Sequence, residues 1–183
     1  PVQSGSDRIL GLMNRTYDSM HYLALIDRLR RAIPDVSLST DVIVGFPTET
    51  ADDHRRTVEL MEKVGYDGAF MFKYSPREHT PAWSMGDDVP DAVKVERLTG
   101  IIALQNEISR ERNQRMVGRT VEVLVEGASE DPGGRIGRTP ENRVVHLDVP
   151  EGEAPAGAIL LARVVRAGVS SLSGEIVGLS PRA

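Results

Sequence analysis

At 183 residues, with 40% hydrophobic and 27% charged side chains, the chain has ordinary globular composition and room for one large domain or two small ones, which excludes a disordered or fibrous protein. A formal charge of −5, from 22 basic and 27 acidic residues, excludes bulk basicity as a route to nucleic acid, so any RNA contact has to be local. The absence of cysteine excludes a disulfide framework, a thiol nucleophile and a thiolate metal site within these residues. Lys63, Lys73 and Lys94 are the only lysines; the remaining basic residues are arginines, suited to planar bidentate contacts or simply solvated. His21, His54, His79 and His146 lack the spacing of a metal site. No signal peptide or membrane-length apolar run is visible, so a cytoplasmic location is expected.

Pro1-Val2-Gln3 reads as the end of a strand already under way, so the chain is expected to be a piece of a longer one. A short helix is expected over residues 7–13, with Ser4 or Ser6 as its cap. A longer helix over 19–33 follows, with Leu23, Ile26, Leu29 and Ile33 on one stripe and Pro34 ending it. Residues 38–44 read as a strand whose apolar centre, Val42-Ile43-Val44, implies burial on both faces, hence a parallel sheet covered by helices. Asp41, beside that core, is expected to need a partner. Gly45 and Pro47 break the strand. Thr50 and Asp53 form a capping-box pair that opens a helix over 51–64, closed by Gly65. A second strand over 68–74 makes a strand-helix-strand unit with parallel pairing. Residues 75–90, with three prolines, are expected to be irregular. A helix over 91–115 then presents Val95, Leu98, Ile101, Ile102 and Ile108 as its buried side.

The pattern changes near residue 117. Short β-branched runs at 120–125, 143–149, 158–165 and 174–179, separated by turn clusters at 129–134 and 150–157, predict a small, partly open β-barrel.

Several motifs go further. Pro1-Val2-Gln3-Ser4-Gly5-Ser6, Met13-Asn14-Arg15 with Tyr17, Ser39 to Pro47, Phe72-Lys73-Tyr74-Ser75-Pro76-Arg77 and Thr80-Pro81-Ala82 resemble, in order and spacing, the methylthiotransferases of the radical S-adenosylmethionine (SAM) superfamily. Gly137-Arg138-Thr139 and Asn142-Arg143-Val144-Val145 resemble the TRAM domain that ends those proteins. The resemblance implies an α/β chain: the C-terminal half of a partial (β/α) radical SAM barrel with a long linking helix over 1–116, then an all-β, OB-like TRAM barrel over 117–183. Phe72 to Arg77 looks like the branch that modifies isopentenyl-adenosine in tRNA. The branch acting on threonylcarbamoyladenosine ranks second, and an RNA-binding module without catalysis is a rival from another class. This chain departs from the family where it carries Thr48 in place of a glycine, and Glu78-His79 in place of Pro-Gly, which puts the local backbone shape in question.

The resemblance implies transfer of a methylthio group to C2 of the adenosine beside the anticodon, with S-adenosylmethionine and two [4Fe-4S] clusters as cofactors. The partners implied are a tRNA anticodon stem-loop and an electron donor, and the protein is expected to be monomeric. Clusters need cysteine thiolates, which in the family lie upstream of the matched segment, so this segment is expected to be inactive alone and to ligate no metal. Candidate cofactor-binding residues are Gln3, Ser4, Arg15, Asp41, Val44, Gly45 and Tyr74. Arg15 has a bland alternative in Asp18, and Tyr74 in simple core packing. Candidate RNA-binding residues are Lys73, Arg77, Arg135, Arg138, Asn142 and Arg143. From residue 117 onward seven arginines face nine acids, so phosphate binding there rests on a local arginine face rather than on net charge.

Overall fold

Capping chemistry sets most helix starts. The structure, a computed structural model, describes residues 1–129, 134–149 and 154–180. Helix α1 (Asp7–Leu12) is capped by the Ser6 hydroxyl, and α2 (Ser19–Ala32) by the Asp18 carboxylate, which accepts the His21 N–H at 2.7 Å. Helix α3 (Ala51–Val64) carries the full Thr50/Asp53 capping box and ends on Gly65 in the left-handed region. The stripe expected on α2 is narrower than its spacing suggested: Ile26 is buried, whereas Ile33 is the exposed C-cap beyond the last turn. Residues 81–84, expected to be irregular, instead form the short helix α4 (Pro81–Ser84). Thr80 caps it and Pro81 occupies the first turn, where its missing N–H is harmless.

Strands β1 (Ser39–Val44) and β2 (Gly68–Lys73) pair in parallel, Val42 opposite Met71 and Ile43 opposite Phe72, and Gln3 adds one parallel bridge to the other side of β1. The two faces of β1 differ, contrary to the expectation of full burial on both. Val42 and Val44 pack with Val2, Ile26, Leu60, Met61, Val64, Tyr66 and Ile101. Burying each large aliphatic side chain of this cluster contributes roughly 1.5–3 kcal/mol. On the other face Ile43 is half-buried, against Ile9, Phe46 and Tyr74, while Phe70 and Phe72 of β2 are 65% and 53% exposed. An apolar centre in sequence could not reveal that its two faces are covered so unequally.

Helix α5 (Asp91–Gln114) is also turned differently from expectation. Ile101 is buried, but Val95 and Ile102 are exposed, and Lys94 and Gln105 take inward positions. Residues 94, 98, 101 and 105 follow helical spacing, so the face is regular but includes polar members. Gln105 belongs there because its Nε2 donates to the Tyr66 carbonyl at 2.9 Å.

By Cα proximity the chain divides into two units, Pro1–Ile108 and Ser109–Ala183. The second contains β3 (Thr120–Ala128), β4 (Gly134–Arg138), β5 (Val144–Asp148), β6 (Ile159–Ala167) and β7 (Ser171–Leu179). The barrel is closed in the order β3-β4-β5-β7-β6, not partly open, because β3 pairs with both β4 and β6 and leaves no edge. Val123, Val125, Val145, Leu147, Leu160, Ala162, Val164 and Leu172 fill it. Strand β4, Gly-Arg-Ile-Gly-Arg, has no β-branched alternation to announce it. Its Gly137 lies so close to β3 that a Cβ would sit 2.4 Å from the Leu124 carbonyl oxygen. The turn clusters expected at 129–134 and 150–157 fall largely on residues 130–133 and 150–153, outside the described residues.

Candidate functional site

Parallel pairing brings the C-terminal ends of three chain segments to one side of the sheet. Gln3 donates its N–H to the Asp41 carbonyl at 2.9 Å and accepts from the Ile43 N–H at 2.9 Å, and Tyr74 donates its N–H to the Val44 carbonyl at 2.8 Å. Gln3, Ser4, Val44, Gly45 and Tyr74 therefore converge, as strand ends in an α/β protein do around a ligand. Phe46 packs edge-on to Tyr74 at 5.2 Å between ring centroids. Ile9, Ile43, Met13, Ala82 and Met85 complete the apolar patch around them. The Tyr74 hydroxyl is buried and has no hydrogen-bond partner among the described residues; burial, then the nearby Asp87, push its pKa up.

The other predicted cofactor residues are placed as follows. Ser4 is fully buried, its hydroxyl 3.3 Å from that of Thr57 and accepting the Ser6 N–H at 3.2 Å, so it ties the strand end to α3. Gln3 is buried with a left-handed φ of 66°. Arg15 is exposed beyond α1, and Asp18, its bland alternative partner, caps α2 instead. Asp41 is only half-buried, on the open face beside Phe70, so its carboxylate reaches solvent and the expected obligatory partner is not required. Lys73 donates to Asp91 at 2.6 Å, and Arg77 is exposed.

Around these groups stands a polar framework that the spacing of residues in the sequence does not announce. Glu49 accepts the Gly45 N–H at 2.7 Å and an Arg97 bond at 2.6 Å. Burial pushes its carboxyl upward, against the pull of Gly45 and Arg97. Asp53 is buried too, but Arg8, the Ser6 hydroxyl at 2.5 Å and Thr50 outweigh the burial and hold it below the usual carboxylate range. The Lys94 side chain lies over Gly45, its ammonium 5.4 Å from the Tyr74 ring centroid and paired with Asp87. The available signals were an acid two residues after Pro47, beyond the break that Gly45 and Pro47 make in the strand, and one of only three lysines in the chain.

The two departures from the family pattern both sit at positive φ: Thr48 at 68° and His79 at 64°. The backbone thus keeps a shape that favours glycine. At Thr48 it is held by Arg8, which donates to the Thr48 hydroxyl at 2.9 Å and carbonyl at 2.7 Å, and by Asp88, which accepts the Thr48 N–H at 2.7 Å.

In the barrel unit the predicted RNA-contacting residues have internal partners. Arg138 donates to both carboxylate oxygens of Glu126, at 3.1 and 3.2 Å, and to the Asn142 side chain at 3.2 Å. Arg135 donates to the Ala154 carbonyl at 3.0 Å, and Arg143 to the Asn113 side chain at 2.5 Å. Of these, Arg138 presents an ion pair that is partly exposed on both sides, which a phosphate can compete for.

Comparison with known proteins matches the Radical SAM superfamily over residues 1–61 and the TRAM domain over residues 114–177. Among curated relatives, the tRNA-2-methylthio-N(6)-dimethylallyladenosine synthase of Anaeromyxobacter dehalogenans (strain 2CP-C) is 48% identical over 96% of this chain. Over almost its whole length the chain is similar to radical SAM methylthiotransferases. Synthases of the same name from Bacteroides thetaiotaomicron, 50% identical, and Thermus thermophilus, 48% identical, each match over 97% of the chain. The chain spans about two fifths of the length of these relatives: 39% for the Anaeromyxobacter and Bacteroides proteins and 38% for the Thermus one. The family's clusters do not fit the residues present: there is no cysteine, and no group of three or more potential metal ligands occurs among the described residues. Nor, among the described residues, is any helix long and apolar enough to cross a membrane.

Proposed function

We propose that this chain works as part of a tRNA-modifying enzyme that transfers a methylthio group to C2 of an N6-dimethylallyl adenosine beside the anticodon. The observation that carries the reading is the pairing of a radical SAM segment with a TRAM barrel in a chain 48% identical, over 96% of its length, to a synthase of that name. The open sheet face with exposed Phe70 and Phe72 fits the same reading, since a parallel sheet is stable when both faces are covered.

S-adenosylmethionine supplies the radical and the methyl group in this chemistry. The strand ends suit such a ligand: an apolar patch, with a buried hydroxyl lacking a partner at Tyr74, matches a heteroaromatic ring with polar edges. Gln3, Gly45 and Tyr74 would hold it, with Ser4 and Val44 supporting the strand ends from the covered side and Asp41 and Arg15 at the periphery. No step is assigned to an iron–sulfur cluster on this chain, whose residues cannot ligate one; we assign the two [4Fe-4S] clusters to other parts of a complete enzyme, and expect residues 1–183 alone to be inactive. Lys73, Arg77, Arg135, Arg138, Asn142 and Arg143 would contact the anticodon stem-loop through phosphates, positioning the tRNA while the strand-end pocket selects the base. We further propose a cytoplasmic location, a monomeric state and an electron donor for the clusters.

The test is to express the complete coding sequence in bacteria lacking the modification and to analyse tRNA nucleosides by mass spectrometry. The 2-methylthio derivative of dimethylallyladenosine is expected. Its absence despite soluble, cluster-loaded protein overturns the proposal, and a methylthio group on threonylcarbamoyladenosine instead reassigns the substrate.

A further inference from the structure

We infer that Glu49 and Arg97 form a positioning pair that fixes the turn after β1 and thereby sets S-adenosylmethionine affinity without touching the ligand; the inference rests on the function proposed above. The pair is buried: the Glu49 side chain is 0% exposed and that of Arg97 11%. One oxygen, Oε2, receives both the Gly45 N–H at 2.7 Å and Arg97 Nη1 at 2.6 Å, and the same Nη1 donates to the Glu49 carbonyl at 3.1 Å. Glu49 also donates its own N–H to the Phe46 carbonyl at 2.9 Å. Both ends of the turn from Gly45 to Glu49 are thus fastened to α5 through a single guanidinium.

The turn needs such a fastening. Gly45 has a φ of 70° and is followed by Phe46, whose ring meets Tyr74 edge-on at 5.2 Å. The direction of the Gly45 amide therefore decides where Phe46 stands against Tyr74, and so the shape of the patch into which the unpartnered Tyr74 hydroxyl is built. On the far side the Lys94 stem, one turn earlier on α5, closes over Gly45. Helix α5 brackets the turn from two directions.

Fold stability does not account for this arrangement. Glu49 Oε1 is buried with no hydrogen-bond partner among the described residues, so the carboxylate is desolvated and only half satisfied. Well-packed apolar residues of similar volume commonly replace such buried pairs without loss of stability. What they cannot replace is an acceptor aimed at one particular N–H.

Two double variants of the complete protein separate the roles. Glu49→Leu with Arg97→Met removes charge and acceptor together; Glu49→Gln with Arg97→Met removes the charge but keeps an amide oxygen for the Gly45 N–H. S-adenosylmethionine binding is measured by calorimetry, alongside thermal melting and tRNA binding. The Leu/Met protein is expected to melt near the wild type, relief of the desolvated charge pair offsetting the lost Gly45 acceptor, yet to bind S-adenosylmethionine about ten-fold or more weakly because the turn is no longer fixed, with the Gln/Met protein restored to within about three-fold and tRNA binding unchanged in both. Wild-type affinity in the Leu/Met protein overturns the inference. Should that protein not fold, Glu49→Gln alone decides: affinity within about three-fold at a lowered melting temperature supports positioning, and affinity lost in step with stability refutes it. A wild type that fails to bind S-adenosylmethionine at all would instead sink the proposed function.

Discussion

The stem of Lys94 lies directly on Gly45: a Cβ built on that glycine would sit 2.4 Å from Lys94 Cγ. Since Gly45 also has a φ of 70°, glycine is required there on two separate grounds, steric and conformational. Gly45→Ala is expected to destabilise the protein by about 2–3 kcal/mol, of which the left-handed conformation accounts for roughly 1–2. Adding Lys94→Ala should recover the clash component relative to the Lys94→Ala background and leave the conformational one. A thermodynamic cycle from urea melts measures the difference, and additive effects would show that the contact is not the cause.

Thr48 and His79 test the departures from the family pattern. Both are exposed at positive φ, a conformation that disfavours side chains. His79→Gly should stabilise by several tenths to about 1 kcal/mol, the relief of left-handed strain exceeding the added chain entropy. Thr48→Gly should gain less, because it also gives up the hydroxyl that accepts from Arg8. Thermal melting of the paired variants should rank them in that order.

Asp53 predicts acid sensitivity. Its folded pKa lies below the ordinary aspartate value of 3.8, so its contribution is fully present above that value and is lost as pH falls through the folded value. Stability should decline as pH drops below about 4, and Asp53→Asn should flatten that limb while costing about 1–2 kcal/mol at neutral pH, a figure reduced because Arg8 is partly exposed. Denaturant melts between neutral pH and the acid limb check both signs; an unchanged acid limb in the variant would place the sensitivity elsewhere.

Asn113 should be a keystone of the barrel unit. It is buried, donates to the Gly168 and Val169 carbonyls at 3.1 and 3.0 Å, and accepts from Arg143. Asn113→Ala removes these three hydrogen bonds and is expected to cost about 2–3 kcal/mol, read as a lower melting midpoint.

For RNA binding, Arg138→Ala with Arg143→Ala in the complete enzyme should weaken tRNA affinity and reduce its slope against salt concentration by about 2, one for each phosphate that an arginine no longer neutralises. Because Arg143 also bonds Asn113, Arg138→Ala alone is the cleaner reading. Unchanged affinity at physiological salt for Arg138→Ala would remove this face from the tRNA interface.

Local interactions were legible in the residues themselves. The Thr50/Asp53 capping box, the Gly65 stop, the Ser6 cap and the parallel unit from Ser39 to Lys73 each depend on neighbours a few positions apart, or on an apolar run whose period is plain. So was the absence of cysteine, a matter of composition. Partners far along the chain were not legible. That Ile43 and Val42 face different surroundings, that β4 closes the barrel, and that Glu49 reaches 48 positions to Arg97 all arise from packing. A buried charge is tolerable only where the fold delivers its counter-charge, and nothing in the spacing of Glu49 and Arg97 announces that meeting.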